Sequence, residues 1–353
     1  MVRLKDIAQQ AGVSVMTVSK VLRDAPDISA PTKARVRALA NQMGYVPDST
    51  AQSLRTRTSK FFGVVIPAAT DPTFARILLA LEERAFELGI ELILSHSLNQ
   101  EGREEVCIQR LLARRVDGIF IWPAHRMRPD ARIFQTLAER RTPVVILGPP
   151  APFCRQFVSV GTDDLLASYS ATQHLLQLGH RKIAYFTGPN AAIWSQERYE
   201  GYRRALREAH LEVDERLVFQ AGSTIEDGAA AALQFVNEST QATAIQAVND
   251  TVAIGCATTF LQQGVRIPQE LSIVGFGNIM TSEYFRVPLT TLREPKYRLG
   301  IAAMDLMQKL LRGEPVEARR MQAELIVRSS TGAPPANGQA LAGDPVLAIA
   351  GNP

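Results

Sequence analysis

The side chains best suited to chemistry lie close to the N-terminus, in the segment Val15–Leu22. A helical period of about 100° per residue places Met16 and Lys20 near the centre of one face, beside the hydroxyls of Thr17 and Ser19. A methionine can contact the methyl group of thymine, and a lysine ammonium can donate to the acceptors of guanine. The opposite face is apolar and suits packing on another helix. It consists of Val18, Val21 and Leu22.

Two short helices are needed to hold that outer face in place. Residues 5–11 form the first predicted helix, with Ile7, Ala8 and Ala11 on one side. Gly12 permits the tight reversal that follows, and Ser14 is a good N-cap for the second helix. This arrangement predicts a helix-turn-helix whose second helix is free to enter a groove of DNA. Periodicity alone also allows a plain helical hairpin.

Charge is distributed unevenly along the 353 residues, which carry a formal net charge of +4. Residues 1–60 contain ten Lys/Arg and four Asp/Glu, a net charge of +6, and the rest of the chain has a net charge of −2. A basic segment on a nearly neutral body is typical of a polyanion-binding module joined to another domain. A solvated basic surface would explain the number of charges but not their concentration in the helix-turn-helix segment.

Several stretches closely resemble the lac-repressor (LacI/GalR) family of transcription regulators. They are Ile7-Ala8, residues 11–14, residues 17–22 and the later Met43-Gly44-Tyr45-Val46-Pro47. The resemblance implies that residues 1–47 form a DNA-binding domain. For base reading, helix geometry indicates Met16 and Lys20, and the resemblance adds Val15. Contacts to the DNA backbone are expected from Ser14, Thr17 and Ser19.

Residues 48–60 are small and polar and are predicted to form a linker. In the resembled family the matching segment is a hinge helix that folds on DNA, where a leucine wedge enters the minor groove and kinks the duplex. By that resemblance, Ala51, Leu54 and Arg55 are the expected minor-groove residues.

From residue 61 to residue 330, uniformly apolar strands alternate with amphipathic helices, which predicts parallel sheets covered on both faces. The content is about twice that of one doubly wound domain. It resembles the family's pair of periplasmic-binding-protein-like subdomains. The expected first subdomain comprises about residues 61–161 and 292–322, and the second about 162–291 and 323–330. Residues 331–353, rich in Gly, Pro and Ala, are expected to be a disordered tail without the leucine heptads of a tetramer.

An enzyme is not favoured by the motifs in the chain. Gly275-Phe276-Gly277 follows a strand, but Met280 occupies the place of the third glycine in a dinucleotide-binding fingerprint. The sequence contains no Walker loop, nucleophile elbow or His-Glu-x-x-His motif, and its histidines and three cysteines lack metal-ligand spacing. We therefore expect no cofactor and no metal. Without a signal peptide or an apolar membrane segment, a cytoplasmic protein is expected.

The resemblance also indicates residues for binding a small-molecule effector in the cleft between the subdomains, where the carboxyl ends of the strands meet. Arg198 begins the family's Arg-x-x-Gly-Tyr element, and Asp250 ends a strand as in its Ala-Asn-Asp. Asp163 matches an acid at the subdomain junction. Two tryptophans and a phenylalanine complete the expected effector site. They are Phe74, Trp122 and Trp194.

Alternatives exist for these residues, and the chain departs from the family pattern. Arg198 and Asp250 would also suit a helix salt bridge and an N-cap, and either tryptophan would suit a core. Gly148, Ser223 and the Gly277-Asn278 pair stand where the family often has acidic or aromatic residues. The pocket is therefore expected to be reshaped. A sugar or sugar derivative is the first candidate effector, since aromatic stacking with Arg and Asp suits polyhydroxy rings.

Taken together, the sequence predicts a homodimeric repressor that binds a palindromic site in double-stranded DNA under the control of a small molecule. A corepressor-dependent regulator or an activator is the alternative. A sugar-binding protein of transport type is less favoured because of the basic N-terminal segment. No membrane partner is expected.

Overall fold

The computed structural model describes residues 2–46, 58–238 and 240–335. Within it the chain divides into two units, Met1–Ser59 and Lys60–Pro353, called the head and the body below. The hinge residues Ala51, Leu54 and Arg55 lie outside the described residues.

The head consists of three helices around one small core. They are α1 (Leu4–Ala11), α2 (Val15–Leu22) and α3 (Ala30–Gln42). Ile7, Val18, Val21 and Val36 are fully buried in that core, as the helical period predicts. Gly12 ends α1 in the left-handed conformation, with φ of +64°, which turns the chain toward α2. The predicted helix-turn-helix is confirmed.

The first subdomain of the body is a six-stranded parallel sheet with the order β11-β5-β4-β3-β1-β2. Its strands are β1 (Phe61–Ile66), β2 (Glu91–His96), β3 (Gly118–Ile121), β4 (Val144–Leu147), β5 (Val158–Thr162) and β11 (Arg319–Met321). Apolar clusters pack helices on both faces. One face carries α4 (Pro72–Glu87) and α12 (Lys296–Leu311), and the other carries α5 (Glu101–Ala113) and α6 (Arg132–Glu139).

The second subdomain is a six-stranded sheet with the order β12-β10-β9-β8-β6-β7, parallel except for β12. Its strands are β6 (Ile183–Thr187), β7 (Val218–Gln220), β8 (Ala244–Ala247), β9 (Ser272–Phe276), β10 (Thr290–Arg293) and β12 (Glu324–Ile326). Its helices are α7 (Asp164–Gln177), α8 (Ile193–Glu208), α9 (Ile225–Asn237), α10 (Asp250–Gln262) and the short α11 (Met280–Tyr284).

The chain crosses between the two subdomains three times. The crossings follow β5 at Asp163, β10 at Glu294 and β11 at residues 322–323. The predicted fold class, a helical head with two doubly wound α/β subdomains, is therefore confirmed. No helix in the described ranges is long and apolar enough to cross a membrane.

The start of the predicted disordered tail needs correction. Residues 331–335 are described, and Thr331 and Gly332 are held by the second subdomain. The carbonyl of Gly332 lies 2.9 Å from Nε2 of the buried His180, and its N–H donates to Ser272 Oγ at 3.0 Å. Thr331 Oγ1 lies 3.0 Å from His174 Nε2. The prediction of disorder from composition was wrong for residues 331 and 332, because hydrogen bonds to residues distant in the chain order this segment. Residues 336–353 lie outside the described part.

Candidate functional sites

The outer face of α2 is exposed where base reading is predicted. Val15 and Met16 have 45% and 68% of their surface exposed, although both are apolar. On the other side of the same helix, Val18 and Val21 are fully buried. Because Val15 and Met16 are exposed at the start of the helix, they are accessible to a partner. Whether this partner is a base edge stays a prediction at this point.

Lys20 is held by an acid of the loop that follows α2. Its ammonium lies 2.5 Å from Asp27 Oδ2, and both side chains are partly exposed. Nearby, Asp24 pairs with Lys33 and Arg37 of α3 at 3.1 and 2.7 Å. The hydrogen bond from Lys33, followed by that from Arg37, lowers the pKa of Asp24, and the bond from Lys20 lowers the pKa of Asp27.

The predicted DNA-backbone residues lie at the start and side of α2. Ser14 is the N-cap, as predicted, and its Oγ accepts from the Thr17 N–H at 3.1 Å. The Ser14 and Thr17 hydroxyls also lie 2.9 Å apart. The carbonyl of Ser19 accepts a bond from Arg23 Nε. A contact of these residues with phosphate stays a prediction.

In the body, Arg198 is buried in the cleft between the subdomains. Its Nε donates to Asp164 Oδ1 at 2.7 Å and its Nη1 to the carbonyl of Val248 at 2.8 Å. Its guanidinium carbon lies 3.4 Å from the centre of the Phe276 ring and 4.9 Å from that of Trp194. Arg198 therefore forms a buried ion pair, the alternative considered from the sequence, and its predicted bond to an effector stays a prediction.

Two further charges complete this network. Glu294, at the second crossing, lies 3.5 Å from Arg198 Nη2 and 3.8 Å from the ammonium of Lys296, which also donates to the carbonyl of Gly277. Burial raises the pKa of Asp164, and the adjacent Arg198 guanidinium opposes that rise. Two cations and two carboxylates thus balance one another inside the cleft.

Asp250 is buried and bonded within the chain, and its role as an effector ligand stays a prediction. Its carboxylate accepts bonds from Thr291 Oγ1 at 2.5 Å, Ser282 Oγ at 2.7 Å and the Ile279 N–H at 3.0 Å, and only 1% of the residue is exposed. The N-cap of α10 is Asn249, whose Oδ1 accepts from the Val252 N–H. Asp250 therefore ties α10 to α11 and β10. Burial raises its pKa, against the effect of these hydrogen bonds.

Asp163 is the N-cap of α7 at the first crossing, where its Oδ1 accepts from the Leu166 N–H at 3.1 Å. It is the neighbouring Asp164, not selected from the sequence, that bonds Arg198. Asp164 is the first residue of α7 and follows the end of β5, so its position after a strand was the available signal.

The predicted aromatic residues gather at the cleft. Phe74 is buried and meets Trp122 edge to face, with ring centres 4.9 Å apart. Trp194, from α8 of the second subdomain, donates its indole N–H to Nε2 of His125 in the first subdomain at 3.2 Å. This hydrogen bond joins the two subdomains across the cleft. Burial lowers the pKa of His125 to about 4, so the ring is neutral at neutral pH.

The loop that carries Trp122 and His125 is fixed by a buried ion pair that the sequence did not reveal. Glu104 of α5 accepts from the Ala124 N–H at 2.6 Å and from Arg126, whose guanidinium lies 4.6 Å from the Phe153 ring centre. Burial raises the pKa of Glu104 to about 7, although the Ala124 N–H and Arg126 oppose the rise. The pair therefore positions two side chains of the cleft.

Two adjoining cavities occupy the cleft and share Trp122 and Leu147 in their walls. The first lies between the 122–126 loop and the start of α8, where Trp194 is. The second reaches Asp164, Glu294 and Lys296. Both lie at the carboxyl ends of parallel strands, where open α/β sheets bind small molecules.

Comparison with known proteins agrees with this organisation. Residues 3–48 match the family described as bacterial regulatory proteins, lacI family, and residues 172–331 match the periplasmic binding protein-like domain. The chain is 31% identical to the transcriptional repressor PurR of Photobacterium profundum, over 94% of this chain and 98% of that protein. It is 30% identical to the repressor CytR of Escherichia coli K12, with coverage of 94% and 97%.

The structure of the lac repressor dimer bound to operator and the anti-inducer ONPF superposes with a TM-score of 0.85, at 26% identity, over 94% of this chain and 99% of that one. The full-length match to PurR, the helix-turn-helix head and the two-subdomain body agree. The chain belongs to the lacI family of bacterial regulatory proteins.

Proposed function

We propose that the protein is a homodimeric repressor in the cytoplasm that binds a palindromic operator in double-stranded DNA, with an affinity controlled by a small molecule between the two subdomains. The outer face of α2 carries this proposal. Its exposed Val15 and Met16, with Lys20 one turn on, offer apolar contacts to thymine and donors to guanine.

The remaining contacts with DNA are assigned from the family resemblance. Ser14, Thr17 and Ser19 are assigned to the phosphates beside α2, and Ala51, Leu54 and Arg55 to the minor groove. No catalytic step is assigned to the chain, in line with relatives that are named as repressors.

Exposed apolar side chains of the body support pairing with a second copy. Leu79 and Phe86 lie two helical turns apart on α4, and Phe86 is 80% exposed. Met280 and Tyr284 of α11 are each 80% exposed in the second subdomain. Large apolar side chains left in water favour a protein interface. A dimer would present two copies of α2 to the two halves of a palindrome.

The test is selection of DNA ligands from a random pool with the full-length protein, followed by affinity measurement on the enriched site. We expect an inverted repeat whose two halves are bound together by a dimer. Enrichment of no sequence, or of an isolated half-site bound by a monomer, would contradict the proposal. Repeating the measurement with candidate metabolites then distinguishes release of the operator from corepression.

A further inference from the structure

The start of α8 lies against the first subdomain, although this helix belongs to the second. Its first residue, Ile193, packs on the apolar cluster of the first subdomain that includes Phe153. The indole N–H of the next residue, Trp194, donates to His125 Nε2 at 3.2 Å. An apolar contact and a hydrogen bond thus join the two subdomains at the cleft.

One turn further along α8, an ion pair makes a second connection. Arg320 of β11, in the first subdomain, donates from Nη1 and Nη2 to the two carboxylate oxygens of Glu197, each at 2.7 Å. Two parallel bonds of this kind fix the relative orientation of the two groups. Because residues three and four apart lie on the same face of a helix, residues 193, 194 and 197 form one surface. We call these three residues the clasp.

The cleft beside the clasp has little room. The cavity between the 122–126 loop and Trp194 has a volume of about 20 Å³, and the cavity that reaches Asp164 has about 10 Å³. A buried water molecule needs roughly 10–15 Å³, so neither cavity accommodates a molecule of several heavy atoms. Such a molecule can enter only when the two subdomains separate, with the three chain crossings as the pivot.

The two polar connections of the clasp lie at different distances from this pivot. Arg320 is close to the third crossing, at residues 322–323, so its bonds to Glu197 fix α8 on the side of the pivot. His125 is in the loop after β3, at the wall of the cleft, where Trp194 meets it. Separation of the subdomains therefore removes the acceptor of the indole N–H, which must then find water instead.

We propose that the start of α8 is a clasp that holds the two subdomains together, and that a small molecule enters the cleft only by opening it. Binding of that molecule and the bond between Trp194 and His125 then exclude each other. A mutation that breaks the clasp should therefore change operator affinity in the same direction as the molecule does. This inference rests on the proposed function, in which a small molecule in the cleft controls operator affinity.

The chain provides its own reporter of an open cleft. It contains two tryptophans, Trp122 and Trp194, and both line the cavity beside the clasp. The probe is acrylamide, a small uncharged quencher of tryptophan fluorescence, added to the full-length protein without DNA. His125→Leu removes the acceptor and retains both tryptophans, so we expect the quenching constant to rise about twofold or more. His125→Gln retains an acceptor and should stay close to the unmodified protein.

The ion pair is tested by exchanging its charges. Arg320→Glu should also raise the quenching constant, and combining it with Glu197→Lys should restore the original value. Arg204→Ala is the control, because it breaks an exposed pair with Glu208 on the same helix, within the second subdomain, and should change nothing. Since Arg320 is partly exposed, its variant tests the clasp even if His125→Leu does not fold. Unchanged quenching in the folded variants, or no restoration by the second charge exchange, would overturn the proposal.

Operator affinity is then measured separately, on the DNA site obtained by selection. His125→Leu and Arg320→Glu should shift it in the same direction, by about fivefold or more, whereas Arg204→Ala should not. Shifts in opposite directions, or no shift despite increased quenching, would contradict the role of the clasp in regulation. If the unmodified protein selects no DNA site, the proposed function fails, while the quenching experiment still decides whether the clasp holds the subdomains together.

Discussion

The head and the cleft differ in the exposure and pairing of their side chains. In the head, Val15 and Met16 are exposed and Lys20 has one partly exposed partner, Asp27. In the cleft, Arg198 and Asp250 are buried, and their hydrogen bonds are made within the chain. A surface that reads DNA must leave its groups available to a partner of fixed shape. A buried cleft must pair its charges to remain folded.

The largest effect is expected where the charge pairing of the cleft is broken. Arg198→Ala leaves the buried Asp164 without its cation and Glu294 with Lys296 alone, and we expect a loss of about 3–5 kcal/mol in the free energy of unfolding of the body. Denaturant unfolding checks it. Arg266→Ala, which breaks an exposed pair with Glu270, is the control and should cost much less stability. Similar losses in both variants would remove the distinction between the buried network and a surface pair.

Acid should weaken the cleft through His125. Its pKa is lowered to about 4 in the fold but is near 6.5 when unfolded, so the unfolded chain takes up the proton first as the pH falls. The stability contributed by the neutral ring is present above pH 6.5 and is lost between pH 6.5 and 4, by up to about 3 kcal/mol. His125→Gln, which still offers an acceptor to Trp194, should lose less stability over this range. An equal loss in the free energy of unfolding for both proteins between pH 6.5 and 4 would contradict the expectation.

For the head, Lys20→Ala should reduce operator affinity by roughly 1–3 kcal/mol, or about 5- to 150-fold, because a base contact is lost. The reduction should be greatest at one base pair of each half-site. Arg35→Ala, an exposed cation on α3, is the control for a general effect of charge. An equal loss on all DNA sequences would show that Lys20 contacts phosphate and not a base.

The smallest expected effect is that of Asp27→Asn on operator affinity. Asp27→Asn removes the carboxylate that pairs with Lys20. The Lys20 ammonium then has no ion pair to break when it binds DNA. We expect operator affinity to rise about two- to fivefold, the size typical of an exposed ion pair. Asp24→Asn, which releases Lys33 and Arg37 instead, is the comparison variant. Weaker operator binding by Asp27→Asn would mean that Asp27 positions Lys20 productively.

Local chemistry made the head and most strands of the body predictable. The geometry of the head depends on contacts within one or two helical turns, so it can be predicted from the sequence. The residues concerned are Gly12, Ser14 and the buried Val18 and Val21. The uniformly apolar β1 (Phe61–Ile66) was likewise recognisable by itself. Short polar strands such as β10 and β11 were not predicted, because their pairing depends on the neighbouring strands.

The cleft was less predictable because its partners are distant in the chain. Asp250 is bound by Ser282 and Thr291, which lie 32 and 41 residues away, and Glu104 reaches Arg126 across 22 residues. The resemblance selected Arg198 and the two tryptophans, which lie at the cleft in the structure. It could not show the hydrogen bonds of Asp250, since two of them depend on the packing of α11.

The anchoring of Gly332 has a practical consequence for handling the protein. His180, Ser272 and Thr290 hold residues 330–332 beside the amino-terminal ends of β6, β9 and β10, whereas the cleft lies at the carboxyl ends of the parallel strands. An affinity tag or a fluorophore attached directly to residue 335 would therefore begin at the opposite ends of the strands from the cleft. A truncation that removes Ser330–Gly332 would instead expose two histidines and the start of a sheet, so it should be avoided when shortening the chain for crystallisation.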